Sequence, residues 1–89
     1  MTTDLRAEIE RRLRAALAPT HIAVTDDSAA HAGHAGARAG AHFSVALTSP
    51  RFGGLSRIAR HRLVYDVLGP LMQQGIHALA IDARAPEDA

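Results

Sequence analysis

His42-Phe43-Ser44-Val45-Ala46-Leu47-Thr48-Ser49 is the stretch on which the fold turns. Phe43, Val45 and Leu47 alternate with Ser44, Ala46 and Thr48, and a period of two describes a strand with one buried face. Ser49-Pro50 ends it, because proline supplies no ladder donor and restricts the residue before it. Upstream, His21-Ile22-Ala23-Val24-Thr25-Asp26-Asp27 reads as another strand, with Ile22 and Val24 on one face. After Ser28, residues up to Gly40 are Ala, Gly and His with one arginine, a long connection that suggests a hairpin. Before the first strand, Leu5, Ile9, Leu13 and Leu17 recur every four residues. They predict a helix over 4–18, capped by Thr3 or Asp4 and stopped by Pro19.

Downstream, Gly53-Gly54 marks a turn, and the pattern predicts a short helix at 55–58 and a longer one from 59 to 74. Gly69-Pro70 should interrupt the longer helix and Gly75 end it. His77-Ala78-Leu79-Ala80-Ile81 reads as a third strand, and Pro86-Glu87-Asp88 as part of a frayed tail. The order αββααβ implies an α+β fold with a three-stranded mixed sheet and helices packed on one face. A chain of 89 residues is one domain, frayed at 1–3 and 84–89.

Composition removes several function classes. There is no cysteine, which excludes a disulfide scaffold, a thiol nucleophile and a thiolate metal site built by this chain alone. A net charge of +1 does not by itself point to nucleic acid or membrane. No stretch approaches the roughly 20 apolar residues that span a bilayer, and the charged N-terminus does not read as a signal peptide, so the expectation is a cytoplasmic protein. No carboxylate, serine or lysine forms a catalytic motif with a histidine, so the chain is not expected to be an enzyme.

Six histidines are the unusual feature. Ile58, His61, Tyr65, Leu68 and Met72 share a helical stripe, which assigns His61 to the core or its edge and leaves Arg60 and Arg62 on more exposed faces. His77 shares the face of Leu79 and Ile81 by the two-residue period, where core packing and metal ligation are equally good readings. His31 and His34 lie among glycines and alanines in the long connection, and either suits zinc, copper, nickel or iron. His21 and His42 open strands and are assigned to structure. Arg51, Arg57, Arg60 and Arg62 cluster around the predicted helix–turn–helix, where they would meet phosphates or base edges. Gly33-His34-Ala35-Gly36 matches the GXXG of nucleic-acid-binding KH domains, but in a strand–strand connection rather than between helices.

Several runs together resemble the BolA family. They are Val24-Thr25-Asp26-Asp27-Ser28, His31, His42-Phe43, Thr48-Ser49, Phe52-x-Gly54, Arg60-His61-Arg62-x-Val64-Tyr65 and His77-Ala78-Leu79-Ala80-Ile81. The resemblance spans Leu5 to Ile81, and Asp27 stands where many members carry glutamate. It implies an αββααβ fold similar to a class II KH domain. It also implies a monothiol glutaredoxin as partner and a [2Fe–2S] cluster shared with that partner and its glutathione. His77 is then one ligand, and His31 or His34 the second. The family has also been described as DNA-binding transcriptional regulators, which would draw on Arg51, Arg57, Arg60 and Arg62. The free chain is expected to be a monomer or weak homodimer.

Overall fold

The computed structural model describes residues 4–27, 41–73 and 75–88, without the side chains of Ala41 and His77. Its elements are α1 (Leu5–Leu17), β1 (His21–Asp26), β2 (Ala41–Thr48), a 3-10 turn (Pro50–Phe52), α2 (Arg57–Leu68), a second 3-10 turn (Gly69–Gln73) and β3 (Ile76–Arg84). β2 is the central strand. β1 pairs with it antiparallel, from His21↔Thr48 to Asp26↔Phe43. β3 pairs with it parallel, from Phe43↔Leu79 to Thr48↔Arg84. The predicted mixed sheet is therefore present. As predicted, Phe43, Val45 and Leu47 point into the core, each exposing 3% or less of its surface. They meet Ile9, Leu13 and Leu17 of α1 and Val64 and Leu68 of α2. Among the described residues, no helix is long and apolar enough to cross a membrane.

Local chemistry sets the helix ends. Asp4 caps α1 by accepting the Ala7 N–H at 3.2 Å. Ala18 closes the helix in the left-handed region (φ 44°), its N–H turned back to the Arg14 carbonyl, and Pro19 prevents continuation. Glu8 accepts from both Arg11 and Arg12, and Glu10 pairs with Arg6 and Arg14. The Arg11 hydrogen bond, followed by that of Arg12, holds the Glu8 carboxyl down from 4.5 to about 2.

Between β2 and β3 the structure corrects the expected pair of helices. Residues 55–58 do not form a short helix. Ser49 caps a single 3-10 turn at Pro50–Phe52, which drives Phe52 fully into the core. Gly54 then takes φ 78°, and Ser56 starts α2 by accepting the Ala59 N–H. The break predicted at Gly69-Pro70 is present: α2 stops at Leu68 and the chain tightens into 3-10 geometry. The predicted stripe on this helix is also corrected. Ile58 is 66% and Tyr65 39% exposed; Leu68 of the predicted stripe is fully buried, but so is Val64, which lies outside it. The inward face is centred one residue away from the stripe of Ile58 and Tyr65, a rotation of about 100°. His61 is half-buried on its flank, and Arg60 falls on the inward side at the edge of β3.

Three segments meet at Ser49, which is fully buried. Its hydroxyl donates to the Leu17 carbonyl at the end of α1 (2.6 Å) and accepts the Arg51 N–H (3.1 Å). Its own N–H donates to the Arg84 carbonyl at the end of β3 (2.9 Å). Beyond β3 the chain turns back, although its sequence suggests fraying. Ala85 is buried, the Asp88 N–H reaches the Ala85 carbonyl, and the Asp88 carboxylate accepts the Ala85 N–H (3.0 Å each).

Replacing Ser49 by alanine leaves the Leu17 carbonyl and Arg51 N–H without this partner. The variant should lose about 1–3 kcal/mol in equilibrium denaturation, and unchanged stability would refute the junction's importance. Glu8 ionises more readily in the folded chain, so its contribution is complete above about pH 4.5 and disappears as pH falls toward about 2. Glu8→Gln should therefore lower the thermal midpoint above pH 4.5 and have little effect at the acid end.

Candidate functional site

The end of the sheet at which β2 begins carries His42 and the backbone of His77. β1 finishes there with Asp26 opposite Phe43, and the next residue, Asp27, donates its N–H to the His42 carbonyl at 2.7 Å. The Ser44 hydroxyl donates to the Asp27 carboxylate and fixes the same corner. Residues 28–40 thus leave the sheet from Asp27 and rejoin it at Ala41. His31 and His34 belong to that segment and lie outside the described residues. β3 starts beside the same corner, since Ala41 pairs with Ile76 and His42 with Ala78.

That register contains an irregularity. One step on β2, from Ala41 to His42, matches two steps on β3, from Ile76 to Ala78. His77 is the extra residue of a β-bulge, a feature that interrupts pairing and redirects the strand locally. The two-residue period used to place His77 with Leu79 and Ile81 does not run through this point: Ile76 is buried, yet Leu79 also packs against the core. Periodicity gave no sign of the bulge, because an extra residue shows only when both strands are aligned. Asp27, His42, Phe43, Ala78, Leu79 and Ala80 line a shallow cavity of about 310 Å³ at this corner. His42, assigned to structure from sequence, is half-buried there with its carbonyl engaged by Asp27.

The donor set bears on any metal at this end. Among the described residues no group of three or more His, Cys, Asp or Glu is placed to hold a metal ion. The chain has no cysteine anywhere. A chain that offers imidazoles but no thiolate fits only part of a coordination sphere completed by another molecule. Its donors do not fit an iron–sulfur centre built by this chain alone.

The arginine cluster divides into two kinds. Arg51, Arg57 and Arg62 are exposed on the 3-10 turn and α2. Arg60 is not, which corrects its assignment to an exposed face; its side chain retains only 15% exposure. Its Nε donates to the Leu55 carbonyl (3.0 Å) and its Nη1 to the Ala83 carbonyl (3.2 Å) and the Asp88 carboxylate (2.5 Å). The Asp88 hydrogen bond raises the Arg60 pKa and lowers that of Asp88. The sequence offered no signal for this pair, whose members are 28 residues apart.

A family model described as BolA-like protein matches residues 13–88. The chain is 40% identical over 86 residues to SufE-like protein 1, chloroplastic/mitochondrial, of Arabidopsis thaliana, covering 90% of this chain and 23% of that protein. It therefore spans less than a quarter of that relative. It is 40% identical over 77 residues to the DNA-binding transcriptional regulator BolA of Escherichia coli (strain K12), covering 86% of this chain and 71% of the regulator. Among solved structures, the BolA domain of SufE1 from Arabidopsis thaliana has a TM-score of 0.86 at 36% identity, covering 100% of both chains. With the same fold and an identity that runs along most of its length, the chain belongs to the BolA family.

Proposed function

We propose that this chain is a non-enzymatic adaptor that binds a monothiol glutaredoxin and contributes imidazole ligands to a [2Fe–2S] cluster carried between the two proteins. The observation that carries this reading is the shared corner: β1 and β2 anchor residues 28–40 at the end of the sheet where His77 lies. In the proposal His77 supplies one ligand and His31 or His34 the other. The glutaredoxin cysteine and glutathione supply the thiolates that this chain lacks. A cluster held by two imidazoles and two thiolates has a higher reduction potential than an all-thiolate one and is bound only while the imidazoles are neutral. The rigid part of the site is the Asp27–His42 closure with its Ser44 hydrogen bond, which fixes both ends of the histidine-bearing segment. Function of this kind, in iron–sulfur trafficking or iron regulation, requires binding and release but no covalent catalysis.

A second reading is DNA binding through exposed Arg51, Arg57 and Arg62, supported by the Escherichia coli relative described as a DNA-binding transcriptional regulator. Arg60 would join only after leaving Asp88. Affinity for a promoter over random duplex, falling steeply with salt, is its signature.

The adaptor reading is tested by purifying the chain with a monothiol glutaredoxin and glutathione and recording visible absorption and circular dichroism. His77→Ala should abolish the heterodimer's cluster spectrum, and one of His31→Ala and His34→Ala should do the same. A spectrum unchanged by His77→Ala sinks the ligand assignment.

A further inference from the structure

At the opposite end of β3, a groove of about 520 Å³ runs between the first turns of α2 and the last residues of the strand. It is separate from the histidine corner, because His77 and Arg84 are about 20 Å apart along the strand. Its charged lining is mostly cationic: Arg57, Arg60 and Arg84, with His61, against Asp82. Each guanidinium is engaged differently. Arg84 reaches Asp82 at 3.1 Å, and both remain more than half exposed. Arg57 stands exposed at the first position of α2, next to first-turn N–H groups that have no partner within the helix. Arg60 grips Asp88, with Nη1 at 2.5 Å and Nη2 at 3.4 Å from the two carboxylate oxygens. Glu87 accompanies it across the groove's rim, its carboxylate packed beside Gly53.

Asp88 thus shows what Arg60 accepts. An oxyanion from another part of the chain is seated on a guanidinium that is otherwise held only by two carbonyls. With Asp88 in place, the three guanidinium groups are balanced by Asp82, Asp88 and the nearby Glu87; with Asp88 displaced, one positive charge is left uncompensated. We propose that this groove is a phosphate-binding site in which Asp88 occupies Arg60 until a phosphate-bearing ligand displaces it. Phosphate fits better than a second carboxylate because the arginines belong to two walls, Arg57 and Arg60 to the helix and Arg84 to the strand. A tetrahedral oxyanion offers acceptors in several directions, whereas the planar carboxylate of Asp88 is already satisfied by Arg60 and the Ala85 N–H. The site goes beyond the DNA reading, since a small phosphate compound meets the same chemistry as a nucleic-acid backbone.

Two substitutions isolate the site. Asp88→Asn removes the charge but keeps an oxygen that can accept the Ala85 N–H, and Arg57→Ala removes an exposed side chain. Matching thermal midpoints establish that both variants fold. Inorganic pyrophosphate, titrated calorimetrically at low ionic strength, is the first probe and a labelled duplex oligonucleotide the second. Pyrophosphate should bind about fivefold more tightly to Asp88→Asn and about fivefold more weakly to Arg57→Ala than to the unaltered chain. Duplex affinity in the same order supports the site with nucleic acid as the phosphate source, and a pyrophosphate response without a duplex response supports it with a small phosphate compound. Pyrophosphate affinity that is absent, or unmoved by both substitutions, overturns the proposal. Duplex binding that persists in that case leaves the DNA reading standing on other arginines.

Discussion

Parallel pairing between β2 and β3 is the constraint on which the rest of the structure depends. Antiparallel β1 and β2 can be joined by a direct connection, but a parallel neighbour requires the chain to return to the starting end of the sheet. Everything between Thr48 and Ile76 serves that return. The 3-10 turn reverses direction under Phe52, α2 travels back across the sheet, and Gly69-Pro70 ends it in time for β3 to start beside Ala41. Because the crossover covers one face, α1 packs beside it and the opposite face keeps small or polar side chains such as Ala23, Thr25, Ser44 and Ala80. The two ends of the sheet consequently acquire different chemistry. His42 and the His77 position lie where β2 begins, and Arg57, Arg60 and Arg84 lie where β3 finishes.

Strand content was legible because the signals were local. Phe43, Val45 and Leu47 alternate cleanly, and the Leu5–Leu17 stripe repeats with Pro19 as its stop. Motif order along the chain also carries the family resemblance without any geometry. The helix after β2 was harder. Arg57–Leu68 carries apolar residues on more than one side, so its sequence suggests a core stripe through Ile58, Tyr65 and Leu68, whereas packing in the common core buries Val64 with Leu68 and leaves Ile58 and Tyr65 out. The expected helix at 55–58 failed for a related reason. Two serine caps, at Ser49 and Ser56, compete with helix propensity and set the boundaries instead.

The candidate sites show the same division. The family resemblance alone pairs His77 with His31 or His34 in the sequence; the strand order adds that Asp27, Ala41 and the start of β3 adjoin at one corner. The bulge at His77 was invisible, because it belongs to the pairing of two strands rather than to either one. Arg60 escapes the sequence pattern for the same reason: its place between Arg57 and Arg62 suggests a solvent face, whereas its partners are Leu55, Ala83 and Asp88. Short-range patterns describe elements well. Contacts between distant segments decide which polar side chains are available.

The hydrogen bond from Asp27 to His42 has a consequence for how such a domain diversifies. It closes the hairpin on the sheet side of residues 28–40, so the register of β1 and β2 is set by Ile22, Val24, Val45 and Leu47 and by this closure. The segment beyond it is a graft point. Lengthening it costs only slowly growing loop-closure entropy, about 0.6 kcal/mol for each doubling, and leaves the Ser49 junction and the crossover untouched. A lineage can therefore exchange the chemistry carried between β1 and β2 while inheriting the scaffold unchanged.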